Sequence, residues 1–221
     1  MTRFDHIRYV YLIGIGGIGM SGLARYFKHH GKTVAGYDKT ETPLTHLLNS
    51  EGIIVNYLDD VQGIPAEITS SNADEVLVII TPAIPQANEQ LKYFISRGTT
   101  LHKRSEVLGL ITTDYSTLAV AGTHGKTTTS SILAHLMHHA GMPTTAFIGG
   151  IMKNYQSNVL LSEEQKWMIV EADEYDRSFL RLKPRIATVT SMDADHLDIY
   201  GSADGMRDTY REFTQLIDRE G

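Results

Sequence analysis

Short apolar runs recur along the chain, and each is followed by a glycine, a proline or an acidic residue and then by a stretch with helical spacing. Tyr9–Gly14 is such a run and reads as a buried parallel strand. A helix follows over Gly17–His30, with Ile18, Leu23, Ala24 and Phe27 on one face. Thr33–Tyr37 predicts a second strand that ends at Asp38, and Pro43–Ser50 a helix with proline in its first turn. Ile53–Val55 and Glu75–Ile80 predict two more strands, Asn88–Arg97 a helix closed by Gly98, and Glu106–Ile111 a short helix. The text turns polar around Ile111–Ser116, and then the pattern starts again. Thr117–Ala121 is a strand, Lys126–His139 a helix closed by Gly141, and Trp167–Val170 and Ile186–Val189 are further buried strands. Strand alternating with helix predicts an α/β protein built on parallel sheets. The expected division is a Rossmann-like domain over residues 1–112 and a second α/β domain over 113–221.

Composition narrows the function classes. Hydrophobic residues make up 42% and charged residues 21%, so a large core is available. The net charge is −6 with no basic tail or stripe, which argues against nucleic acid as the main partner. There is no cysteine, so disulfides and thiolate metal sites are excluded. No apolar run approaches the ~20 residues of a membrane span, and the N-terminus has no signal-peptide stretch, so a cytoplasmic protein is expected.

Four segments carry chemistry. The strongest is Ala121–Thr129 (AGTHGKTTT), placed between a strand and a helix as a phosphate loop requires. Gly122, Thr123, His124, Gly125, Lys126, Thr127 and Thr128 are the expected nucleotide-binding residues. Lys126 reaches the phosphates and the Thr127 hydroxyl ligates Mg²⁺. The spacing departs from GxxxxGK[ST], because Val120 stands where the first glycine belongs. The second segment, Gly14–Gly19 (GIGGIG), is a diphosphate-binding fingerprint with Asp38 at the next strand end to accept a ribose hydroxyl. The third is the acidic run Glu171–Asp176 (EADEYD), where clustered carboxylates call for a cation. Glu171 is the expected metal ligand, with Asp173, Glu174 and Asp176 read as solvated or bonded to the loop. The fourth is Asp193–Asp198 (DADHLD), where His196 is expected to ligate a cation or orient a carboxylate.

In sequence and order these segments resemble the Mur ligases, the ATP-dependent amide ligases of peptidoglycan synthesis. The resemblance rests on GIGGIGMSGLA at Gly14–Ala24, AGTHGKTTT at Ala121–Thr129, EADEYDRSFL at Glu171–Leu180 and DADHLDIYG at Asp193–Gly201. It implies that the first domain holds the UDP part of a sugar substrate rather than NAD. Gly14, Gly16, Gly17, Gly19, Met20 and Asp38 are then its ligands, with Thr81, Ala83, Ile84, His102 and Arg104 close by. It implies that the second domain holds ATP and Mg²⁺, with Thr127, Glu171 and His196 around the metal and Lys126 and His196 catalytic. It further implies that L-alanine is joined to the lactyl carboxylate of UDP-N-acetylmuramate through an acyl phosphate. Recycling of murein tripeptide is the alternative acceptor chemistry. The family's amino-acid-binding third domain has no counterpart here and the second is expected to be incomplete, so the chain alone is expected to bind UDP-sugar with little or no ligase activity. Many members carry a carbamoylated lysine after the DH motif, whereas no lysine follows Lys183 here. A dehydrogenase would account for Gly14–Gly19 but not for the phosphate loop. A kinase or GTPase would account for the loop but not for the first domain, and a non-catalytic UDP-sugar module remains open.

Overall fold

The computed structural model describes residues 3–193, 195 and 197–218, without the side chains of Leu197 and Asp198. The chain divides into two compact units, Met1–Val107 and Leu108–Gly221. The first contains strands β1 (Tyr9–Ile13), β2 (Thr33–Tyr37), β3 (Ile54–Asn56), β4 (Val76–Ile80) and β5 (Leu101–Lys103). Its helices are α1 (Ile18–His29), α2 (Pro43–Ser50), α3 (Ala66–Ser70) and α4 (Glu89–Ser96). Helix α5 (Arg104–Thr112) runs from this unit into the next. All five strands are parallel, in the order β3-β2-β1-β4-β5. The chain leaves β1 in one direction and returns on its other side at β4, so a crevice opens beyond the ends of these two strands. Both faces of β1 are covered: Tyr11 and Ile13 join a cluster with Ile68, Val78 and Phe94, while Val10 and Leu12 are equally buried on the opposite face.

The second unit contains β6 (Ser116–Ala121), β7 (Thr144–Met152), β8 (Ser157–Leu160), β9 (Trp167–Ala172) and β10 (Ile186–Val189). Its helices are α6 (Lys126–His139), α7 (Leu197–Tyr200) and α8 (Ala203–Thr214). The strand order is β10-β6-β9-β7-β8, with β8 antiparallel to β7. The sheet is therefore mixed, where the sequence pattern predicted parallel strands throughout. The β7–β8 hairpin has no continuous apolar run: Gly149 and Gly150 interrupt β7, and the pairing register shifts between Phe147 and Met152. Strand β5 also lacked a pattern, because it is three residues long with a half-buried side of the sheet to fill. His29 and His30, at the end of α1, are half-buried, with the His30 ring 4.4 Å from that of Tyr26.

One buried polar network pins the first unit together. The Tyr11 hydroxyl donates to Gln90 Oε1 at 2.7 Å, and Gln90 Nε2 donates to the carbonyls of Leu58 (3.1 Å) and Asp60 (2.9 Å). Gln90 is fully buried, so its loss would leave the Tyr11 hydroxyl and both carbonyls without the partner they have now. Gln90→Ala should lower the unfolding free energy by about 3 kcal/mol, read from urea unfolding; a loss within error of zero would show that water replaces the amide.

Candidate nucleotide-binding sites

In a parallel sheet the strand ends line up, and here the register shows which residues meet. Ile13 pairs with Tyr37 and Ile80, and Ile80 with Lys103. The next residues along each strand are Gly14, Asp38, Thr81 and Arg104, all of them named from the sequence. Gly14 has φ +91°, and a Cβ there would stand 2.5 Å from Thr81 Cγ2 and 3.3 Å from Ile84 Cδ1. Only glycine turns the chain this tightly against the neighbouring strand end. Gly16 N–H donates to Asp38 Oδ2 at 2.7 Å, and Thr40 N–H to Asp38 Oδ1 at 3.0 Å. Asp38 thus holds the glycine turn in shape. At Gly19 a Cβ would lie 2.6 Å from Arg104 Nη1, so the guanidinium packs directly over the first turn of α1. Gly17 caps that helix, Met20 is buried in its first turn, Ala83 is exposed on the turn after β4, and His102 lies within β5 opposite Ile79. The result is a helix N-terminus with a guanidinium beside it, which suits a diphosphate.

The second unit repeats the logic. Ala121 pairs with Ala172 and with Val189, so Gly122, Asp173 and Thr190 follow at one edge. Gly122 has φ +129°, and a Cβ there would meet Thr190 Oγ1 and lie 2.8 Å from Ser191 N. This contact explains why a glycine stands at this position, away from the usual spacing. The loop is clamped by the chain after β10. Thr123 N–H donates to Ser191 O (3.1 Å), His124 N–H to Ser191 Oγ (2.8 Å), Asp193 N–H to Thr123 Oγ1 (3.1 Å), and Thr190 Oγ1 to the His124 carbonyl. Gly125, at φ +81°, caps the fourteen-residue α6. The His124 ring itself is exposed, 3.6 Å from Asp193 Oδ2.

Glu171 lies beside the loop. Its Oε2 accepts from Thr127 Oγ1 at 3.0 Å, and its Oε1 accepts from Ser130 Oγ (3.1 Å) and Gly149 N–H (2.7 Å). A Cβ on Gly149 would sit 2.6 Å from Glu171 Oε2, so the glycine lets the β7 backbone approach the carboxylate. Ser130 and Gly149 escaped sequence reading; the glycine pair inside a strand was the available signal. His196 lies outside the described residues.

Glu174 follows the second of its two readings, bonded to the loop rather than solvated. It is 2% exposed, neither solvated nor peripheral, and its carboxylate meets the Lys126 ammonium at 2.9 Å (Oε1) and 2.8 Å (Oε2). Lys126 also donates to Gly122 O at 2.7 Å. The turn that follows, Tyr175–Arg181, packs on α8, where Phe179 stacks on Phe213 at 4.9 Å and meets Tyr210 edge-on at 5.3 Å. Burial first, and then the Glu174 charge, push the Tyr200 phenol up to about 12 and raise Tyr210 as well. A folded-state pKa above the unfolded value means that the unfolded chain releases protons first. Stability therefore holds below the ordinary tyrosine value of about 10 and falls as pH rises above it. Urea unfolding at stepped alkaline pH should show this decline, with a shallower slope in Tyr200→Phe; equal slopes would remove Tyr200 as a source.

Comparison with known proteins agrees with this geometry. Residues 9–116 match the family model described as Mur ligase family, catalytic domain, and residues 120–221 match the Mur ligase middle domain. A UDP-N-acetylmuramate–L-alanine ligase of Cytophaga hutchinsonii is 50% identical over 218 residues, covering 97% of this chain and 46% of that protein. The enzyme of the same name from Flavobacterium johnsoniae is 53% identical over 216 residues, covering 98% of this chain and 47% of its own length. The chain thus spans about half the length of the curated relatives it matches. Among solved structures, UDP-N-acetylmuramate:L-alanyl-γ-D-glutamyl-meso-diaminopimelate ligase from Neisseria meningitides superposes with TM-score 0.84 at 27% identity, covering 97% of this chain and 70% of that one. A UDP-N-acetylmuramate–alanine ligase from Thermotoga maritima gives TM-score 0.80 at 28% identity, covering 95% and 47%. The two family models take up the two strand–glycine–helix sites in turn and between them span nearly all of the sequence: the chain belongs to the Mur ligase family.

Proposed function

We propose that this chain supplies the sugar-nucleotide and ATP sites of a ligase that joins L-alanine to the lactyl carboxylate of UDP-N-acetylmuramate in peptidoglycan synthesis. The observation that carries the reading is the Thr127 hydroxyl set 3.0 Å from Glu171 at the start of α6, beside Lys126. Two hard oxygen donors at a phosphate loop fit Mg²⁺ that reaches the protein already bound to nucleotide. The names of the relatives at 50% and 53% identity support alanine as the amine. The tripeptide-recycling reading has its support in a structure of TM-score 0.84, but at 27% identity.

Bound Mg²⁺ would neutralise charge on the β- and γ-phosphates. The chain's own part is to cradle those phosphates with the N–H groups of Gly125–Thr128, those of Thr123 and His124 being held by Ser191, to place the Lys126 ammonium on the transferring group, and to hold the metal with Thr127 and Glu171. His196 joins this set by its motif alone. The lactyl carboxylate oxygen attacks the γ-phosphorus, the bond to ADP breaks, and an acyl phosphate forms. The alanine amine then attacks the acyl carbon, loses a proton, and phosphate departs. In the first unit, Gly14–Gly19, Asp38 and Arg104 would hold the UDP moiety, with Thr81, Ala83, Ile84 and His102 beside it. ATP and the sugar nucleotide are cytoplasmic metabolites, so the reaction is placed in the cytoplasm; no helix among the described residues is long and apolar enough to cross a membrane.

Two measurements check this reading. Calorimetry should show UDP-N-acetylmuramate binding to the chain, with no response to NAD, and Arg104→Ala should weaken binding by ~10–100-fold, the loss of a charge-assisted contact of about 1.5–3 kcal/mol. NAD binding in place of the UDP-sugar would refute the assignment of the first unit. Phosphate release by the complete gene product should require ATP, UDP-N-acetylmuramate and L-alanine together, and Lys126→Ala should slow it by ~10²-fold or more. Release independent of alanine would refute the acceptor.

A further inference from the structure

Glu174 has no task in the chemistry just described, yet its carboxylate is more deeply buried than any other in the run Glu171–Asp176. Taking a carboxylate out of water is costly unless a counter-charge and further contacts meet it. The counter-charge here is the phosphate-loop lysine, whose own side chain is 18% exposed. An ammonium has three N–H groups. One goes to the Gly122 carbonyl at 2.7 Å and one to Glu174 at 2.9 Å, which leaves the third for a phosphate oxygen. A lysine on a four-carbon stem is otherwise a mobile point charge. Two anchors, one on the loop and one beneath it, convert it into a fixed one.

The turn that delivers Glu174 is itself held firmly. The Tyr200 hydroxyl donates to the Glu174 carbonyl, Arg177 N–H donates to the same carbonyl at 3.0 Å, and Phe179 N–H donates to Asp173 O at 3.0 Å. Asp176 and Arg177 take left-handed backbone conformations, at φ +53° and +54°. Two consecutive non-glycine residues keep such angles only where their surroundings over-determine them. Arg177 lies over the Tyr200 ring at 5.7 Å, and Phe179 in the same turn packs on Tyr210 and Phe213 of α8.

We propose that Glu174 is a positioning residue for phosphoryl transfer, acting through Lys126: it fixes the ammonium at the mouth of the Gly122–Thr129 loop so that its remaining proton meets the phosphate being transferred. A misplaced charge still attracts ATP, so the loss should appear in the chemical step more than in nucleotide binding. The inference rests on the proposed ligase reading for its turnover assay, and a stability measurement tests it independently of that assay.

The experiment is a double-mutant cycle in the complete gene product, with Lys126→Met, Glu174→Gln and the pair. Glu174→Gln should lower kcat for alanine-dependent phosphate release at least ~10-fold while KM for ATP changes less than ~3-fold. Added to Lys126→Met, it should cause no further loss, because its effect passes through the lysine. In thermal unfolding, Lys126→Met should lower Tm by at least ~4 °C by leaving a buried carboxylate unpaired, and the double variant should regain most of that. Full kcat in Glu174→Gln, or fold-losses that multiply in the double variant, would overturn the positioning role. A double variant no more stable than Lys126→Met would overturn the pairing itself. A wild-type protein with no alanine-dependent release would instead refute the ligase reading and leave the stability cycle to decide the pairing.

Discussion

Parallel strands all finish at the same edge of their sheet, and both candidate sites depend on that constraint. Ile13, Tyr37, Ile80 and Lys103 stand in one register row, and Ala121, Ala172 and Val189 in another. Whatever residue comes next on each strand is carried to a common place, however far apart the strands lie in sequence. Glycine at the first exit of each row, Gly14 and Gly122, lets the backbone turn across its neighbour's end without a collision. Replacing either glycine would therefore disturb a strand end that belongs to another segment of the chain.

Much of this was legible beforehand because the signals were local. Buried strands such as Val76–Ile80 announce themselves as apolar runs; Ile186–Val189 was delimited to the residue, but it is an edge strand of exposed and half-buried residues and not the buried strand expected. The glycine loops, Asp38, Arg104 and Glu171 followed from motif and strand order. What escaped depended on distant packing. Glu174 stands in an acidic stretch, and acidic stretches are usually solvated; the turn that carries it is held by Phe179 packing on Tyr210 and Phe213, which come much later in the chain. The β7–β8 hairpin escaped for a related reason. Gly149 and Gly150 break its apolar run, and their use becomes visible only when the Gly149 N–H is seen to donate to Glu171.

The acidic segment also shows how one stretch of chain divides its labour by environment. Glu171, at the end of β9, gathers hydroxyl and amide donors and presents oxygens beside the loop. Glu174, three residues on and around a turn, is buried and bound to an ammonium. Charge alone does not separate the two; the direction of the backbone after Ala172 does.

The clamp between the phosphate loop and the segment after β10 has a consequence for the thermodynamics of encounter. Thr190 and Ser191 hold the loop through main-chain and hydroxyl contacts within the chain itself. The entropy of curling residues 122–125 is thus spent when the protein folds. The same contacts commit the N–H groups of Thr123 and His124 to Ser191, so the donors left at this edge are those of the first turn of α6. An anion at this edge would be met by the start of a helix whose preceding loop is already shaped by the segment after β10.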